Sequence, residues 1–120
     1  MTDADTTIFH NPRCSKSRQA LAVIEQRGAP HTVVEYLKTP PDRSTLESIV
    51  ARLDDPPAEL VRTDDAGFAG LGVDPATLSS PAVVVDILCE HPELMQRPLV
   101  MHGDRVVIGR PTERVAELFG

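Results

Sequence analysis

The stretch Thr6-Thr7-Ile8-Phe9-His10-Asn11-Pro12-Arg13-Cys14-Ser15-Lys16-Ser17-Arg18 decides the fold and points to the chemistry. Its first five residues read as a short strand, and Asn11-Pro12 turns the chain. From Ser15 to Arg27, the residues Ala20, Leu21, Val23 and Ile24 supply the apolar face of a helix. Gly28 stops that helix and Pro30 keeps it from resuming. His31 to Leu37 is rich in β-branched residues and reads as a second strand. A strand–helix–strand unit of this length fits the crossover that two parallel strands require.

Cys14 sits where the strand gives way to the helix. A thiol is a good nucleophile only as thiolate, and the free N–H groups and partial positive charge of a helix N-terminus stabilise one. His10, Arg13, Lys16 and Arg18 add basic side chains nearby, and these neighbours make poor core material. Cys14 is therefore the candidate reactive centre. Spacing narrows the chemistry. A dithiol oxidoreductase would carry a second cysteine three residues on, where Ser17 stands; a phosphatase-type loop would carry arginine six residues on, where Ala20 stands. The Ser17 hydroxyl and a protonated His10 are candidates to stabilise the thiolate.

The remaining elements follow from punctuation and period. Pro40-Pro41-Asp42 breaks the pattern, and Leu46, Ile49, Val50 and Leu53 predict a helix from about Ser44 to Leu53. Residues 54–80 predict short helices and loops. Pro81 opens a helix with a buried stripe of Val84, Val85, Leu88 and Cys89, so Cys89 is read as core packing. Pro98–Met101 and Arg105–Ile108, separated by His102-Gly103-Asp104, predict an antiparallel hairpin. Pro111 opens a last helix with Val115, Leu118 and Phe119 on one face. The order predicts an α/β fold, a four-stranded mixed sheet covered by helices, as a single domain over 1–120 with residues 1–5 as a loose tail.

Composition removes several function classes. A formal net charge of −6 and only four aromatic residues argue against a nucleic-acid partner. No apolar run approaches the roughly 18 residues of a membrane span, and the polar, acidic start lacks the features of a signal peptide, so a cytoplasmic location is expected. The two cysteines make no disulfide framework. The four histidines are scattered, without metal-ligand spacing, and no metal site is expected.

The segment His10-Asn11-Pro12-Arg13-Cys14-Ser15-Lys16-Ser17-Arg18 resembles the active-site motif of the glutaredoxin-linked arsenate reductase family. Tyr36-Leu37 before Pro40-Pro41, Glu59-Leu60-Val61-Arg62, the run from His91 to Val100, and Ile108-Gly109-Arg110-Pro111 agree in order and spacing. On length, the chain is similar to the short, chromosomally encoded branch. The resemblance implies a thioredoxin-like fold with a helical insertion over about 40–92. It implies that Cys14 attacks arsenate, that Arg62, Arg97 and Arg110 hold the oxyanion, that His10 and Ser17 assist thiolate formation, and that Pro98 is a cis-proline. It implies no bound cofactor; glutathione or another low-molecular-weight thiol is the co-substrate, and a glutaredoxin-type redoxin is the partner of a monomer. Guanidinium groups at a helix N-terminus suit a multiply charged tetrahedral anion.

Two other readings stay open. A general thiol–disulfide or deglutathionylating oxidoreductase would depend on Cys14 but tolerate loss of the three arginines. A non-enzymatic regulator similar to the Spx proteins would bind RNA polymerase, although its usual Cys-x-x-Cys switch is broken here by Ser17.

Overall fold

The structure, a computed structural model, describes residues 6–119; the tail expected over residues 1–5 lies outside them. In chain order the elements are β1 (Thr6–His10), α1 (Ser15–Gln26), β2 (Thr32–Glu35), α2 (Arg43–Arg52), α3 (Ala66–Ala69), α4 (Pro81–Glu90), β3 (Leu99–His102), β4 (Arg105–Ile108) and α5 (Glu113–Glu117). Short 3-10 turns cover Pro57–Leu60, Pro75–Ser79 and Pro92–Leu94.

The four strands form one sheet in the order β2-β1-β3-β4. β1 and β2 are parallel, with Ile8 opposite Val33, and α1 makes the crossover between them. β3 runs antiparallel to β1, with Phe9 opposite Leu99, and β4 antiparallel to β3, with Leu99 opposite Ile108. The His102–Arg105 pair closes the hairpin over two residues, the first of which, Gly103, has φ +61°. A side chain at that position would be strained, which is why glycine serves there.

Alternation along the strands splits the core into two layers. Ile8, Val100 and Val107 pack with Ala20 and Ile24 of α1 and with Val115 and Leu118 of α5. Phe9, Leu99, Val106 and Ile108 point the other way, onto Leu46 and Ile49 of α2 and Val84, Val85 and Leu88 of α4. Helices thus cover both faces of a mixed sheet, the thioredoxin-like arrangement, with the helical stretch between β2 and β3 packed on one face.

Boundaries moved where side chains intervened. β2 ends at Glu35, short of the predicted Leu37, because the Glu35 carbonyl accepts from both Lys38 and Thr39 N–H at 2.9 Å, and Tyr36 turns inward to 1% exposure. α2 begins at Arg43 because the Asp42 carboxylate accepts from Thr45 N–H at 2.8 Å and caps it. Asp65 and Asp74 likewise cap α3 and the turn at Pro75. β3 begins at Leu99, and α5 starts two residues beyond Pro111. Cys89 is half-buried against the larger core layer.

Candidate active site

The C-terminal end of β1, the N-terminus of α1, the start of β3 and the end of β4 meet at one end of the sheet. Cys14 stands there in the extended conformation (φ −93°, ψ 121°) as the residue capping α1. A tight turn delivers it: Cys14 N–H donates to the Asn11 carbonyl at 3.0 Å, and Arg13 N–H donates to Asn11 Oδ1 at 3.0 Å. Arg18 N–H donates to the Cys14 carbonyl at 3.0 Å and starts the helix. Arg18 Nη1 donates to the Pro12 carbonyl at 2.9 Å, bracing the turn from outside.

The Cys14 sulfur closes no capping hydrogen bond of ordinary geometry, but the N–H groups of Ser17 and Lys16 face it. Burial alone would push the thiol pKa up. Those two amides, followed by the charges of Arg97 and Arg110, outweigh burial and bring it below the ordinary thiol value. Arg110 Nη2 lies 3.6 Å from Cys14 Sγ. Its Nε donates to the Arg97 carbonyl at 2.6 Å, so main chain holds the guanidinium in place. Arg97 carries a buried Nε with no protein partner.

Pro98 follows Arg97 across a cis peptide bond, and the Arg110–Pro111 bond is also cis. Gly109 joins these two segments. Its N–H donates to the Pro98 carbonyl at 2.9 Å, and a Cβ there would lie 2.8 Å from both Pro98 Cγ and Val115 Cγ2. Glycine is required at this close approach.

His10 and Ser17, both expected to assist the thiolate, meet each other. Ser17 is fully buried and His10 only 6% exposed, and His10 Nδ1 and Ser17 Oγ are 2.6 Å apart. Ser17 Oγ also accepts from Asn11 N–H at 3.0 Å. Burial lowers the His10 pKa and the charge of Arg18 adds to that, against opposing contributions from Glu35 and Glu25. The surroundings therefore favour the uncharged ring, and its Nδ1 shares a hydrogen bond with the Ser17 hydroxyl. The groups that act on the Cys14 thiol are the two amides and the two arginines, and His10 meets Ser17 Oγ. Ser17 presents its backbone N–H to Cys14, while its hydroxyl ties the end of β1 to α1.

Arg62 is the third arginine expected at the anion. It follows the 3-10 turn ending at Leu60, donates from Nη1 to the Glu93 carbonyl at 3.2 Å, and pairs through Nη2 with Asp65 at 3.2 Å. Arg97 and Arg110 act on the Cys14 thiol; Arg62, with Arg97, acts on Tyr36. In the sequence Tyr36 belongs to the family pattern and to a strand, with no role assigned in the site. Burial raises its pKa, the Asn11 side chain reaches it, and the fields of Arg97, Arg62 and Cys14 converge on it. A tyrosine at the end of a β-branched run reads as strand, so nothing local marked it as part of this cluster. Asn11, in the sequence a turn former inside the family motif with no role of its own, is linked to Cys14, Arg13, Ser17 and Tyr36. Among the described residues no group of three or more His, Cys, Asp or Glu is placed to hold a metal ion.

A model of the ArsC family matches residues 9–118. The chain belongs to the ArsC family. It is 43% identical over 109 residues to a Neisseria meningitidis protein named "Arsenate reductase", covering 90% of this chain and 92% of that one. It is 39% identical over 114 residues, 94% of this chain and 95% of that one, to an Escherichia coli protein named "Uncharacterized protein YfgD". A solved structure titled "Arsenate reductase from Vibrio cholerae" superposes with a TM-score of 0.82 at 31% identity, covering 98% of this chain and 99% of that one. The ArsC match starts inside β1 and ends one residue past α5, so it contains Cys14, Arg62, Arg97 and Arg110 alike.

Proposed function

We propose that this chain reduces arsenate to arsenite, with Cys14 as nucleophile and an external thiol as reductant. The observation that carries the reading is the Arg110 guanidinium, anchored to the Arg97 carbonyl and 3.6 Å from Cys14 Sγ. Beside it the buried, unpartnered Nε of Arg97 is a donor awaiting an acceptor. A tetrahedral oxyanion satisfies both arginines while its central atom meets the sulfur. The names of the 43%-identical relative and of the Vibrio structure agree with arsenate as that anion.

Cys14 thiolate attacks arsenic(V), a protonated oxygen leaves as water, and a cysteinyl-arsenate forms. A small thiol such as glutathione adds to arsenic with loss of a second water. A second thiol, from a glutaredoxin-type protein or another small molecule, then attacks the sulfur of the first. The disulfide departs and the bonding pair stays on arsenic, which becomes arsenic(III). Water releases arsenite and restores Cys14. The free N–H groups at the start of α1 and the two arginines stabilise the thiolate before attack and the oxygen charge during it. Cys89 lies on α4, across the sheet from α1, so both reducing thiols come from outside the chain.

Arsenate-dependent arsenite release by wild type, Cys89→Ala and Cys14→Ser tests this. Wild type and Cys89→Ala should turn over only with added thiol, and Cys14→Ser should not turn over at all. Sustained turnover without added thiol, or by Cys14→Ser, would overturn the reading. Replacing Arg97 or Arg110 separates it from general disulfide chemistry, which would survive their loss.

A further inference from the structure

We propose that the cavity between the 10–13 turn and the 35–38 turn is the subsite for an anionic peptide thiol of the glutathione kind. The inference rests on the chemistry assigned above to Cys14 and names the place from which its first reducing thiol comes. The cavity, about 270 Å3, lies just below the usual range of about 300–1,000 Å3 for small-molecule sites. Arg13, on its wall, immediately precedes Cys14, and consecutive Cα atoms are about 3.8 Å apart. Neither Arg97 nor Arg110 lines it. It therefore borders the turn that carries Cys14, apart from the two arginines assigned to arsenate, so that a second reactant could occupy it while arsenic is bound.

Its charges match one class of molecule. Arg13 is exposed and makes no ion pair among the described residues. Lys38 Nζ pairs with Glu35 Oε1 at 3.5 Å, with side-chain exposures of 79% and 40%. A pair so exposed is weakly held and exchanges partners readily. The cavity thus presents two cations and one anion. Glutathione carries two carboxylates and one ammonium group around a central thiol, the inverse set. Leu37, half exposed and with Val33 one of two large hydrophobic side chains left open among the described residues, gives the peptide an apolar wall. The walls are rigid: Asn11 Oδ1 holds Arg13 N–H, and the Glu35 carbonyl holds Lys38 and Thr39 N–H. A ligand entering here meets a preformed site.

Two measurements test the subsite. S-methylglutathione, which cannot react, is titrated into 15N-labelled protein. Shifts should concentrate at residues 10–13 and 35–38 and disappear in Arg13→Glu/Lys38→Glu, a change confined to exposed side chains. No shifts, shifts elsewhere, or equal shifts in the double variant would overturn the proposal. In turnover, the double variant should lose about tenfold in the ratio of kcat/KM for glutathione to that for neutral 2-mercaptoethanol. Cationic cysteamine should move in the opposite sense, and an unchanged ratio rejects the subsite. If no thiol supports arsenate reduction, the arsenate reading fails, while the titration still decides whether the cavity takes a peptide thiol.

Discussion

At the scale of single residues, Cys14 is set apart by what faces its sulfur. Burial opposes ionisation, and amides at a helix start together with two guanidinium groups reverse the outcome. Alkylation by iodoacetamide should follow pH with a midpoint below the ordinary thiol value of about 8.5. In Arg110→Ala that midpoint should rise, and kcat/KM for arsenate should fall about tenfold or more, the loss of a hydrogen bond to a charged group. A midpoint unmoved by the substitution would mean that the 3.6 Å contact has no electrostatic weight. Ser17 offers a second case. Its hydroxyl accepts from Asn11 N–H and meets His10 Nδ1, all at the buried end of β1. Ser17→Ala leaves both groups without a partner and should cost about 1–3 kcal/mol in urea unfolding. Cys14 was legible because its basic, polar neighbours exclude a core role. The His10–Ser17 bond was legible only as two candidates, because the hydroxyl's real partners depend on how the turn folds back.

Elements position these residues, and the decisive joint is the approach of β4's end to β3's start. Gly109 lies so near Pro98 and Val115 that a methyl group has no room. Gly109→Ala should destabilise the fold by about 1–3 kcal/mol, the range for overpacking, and also lower arsenate kcat/KM, because the Gly109–Pro98 link aligns Arg97 with Arg110. Thermal unfolding and steady-state kinetics on the same preparation check both halves; loss of stability with unchanged kcat/KM would detach the link from the site. The strands and long helices were readable from apolar period. Their ends were not, since a buried Tyr36 shortened β2 and an aspartate cap moved the start of α2. Arg62 shows the same limit: a place in a motif does not say that Asp65 and the Glu93 carbonyl hold its guanidinium.

For the whole molecule, the mixed sheet with helices on both faces was legible from the order of elements, since a crossover unit followed by a hairpin admits few arrangements. The packing of residues 54–80 was not, because turns capped by aspartate and proline carry no period. One global property follows from the burial of His10. Its folded pKa is depressed, so its contribution to stability is complete above the unfolded value of about 6.5 and is lost as pH falls through the folded value. Urea unfolding should therefore show stability declining from neutral pH into that acid window, with a shallower decline in His10→Gln. Identical slopes for the two proteins would show that this ring carries no proton linkage.

The bond from Arg110 Nε to the Arg97 carbonyl holds the two arginines proposed for the anion in place before any anion arrives. Such a mould recognises shape and charge, and phosphate shares both with arsenate. In a cell, where phosphate abounds, the guanidinium pair would be filled mostly by an ion that never reacts. Discrimination then falls to the sulfur, since arsenic readily exchanges oxygen for thiolate and phosphorus does not.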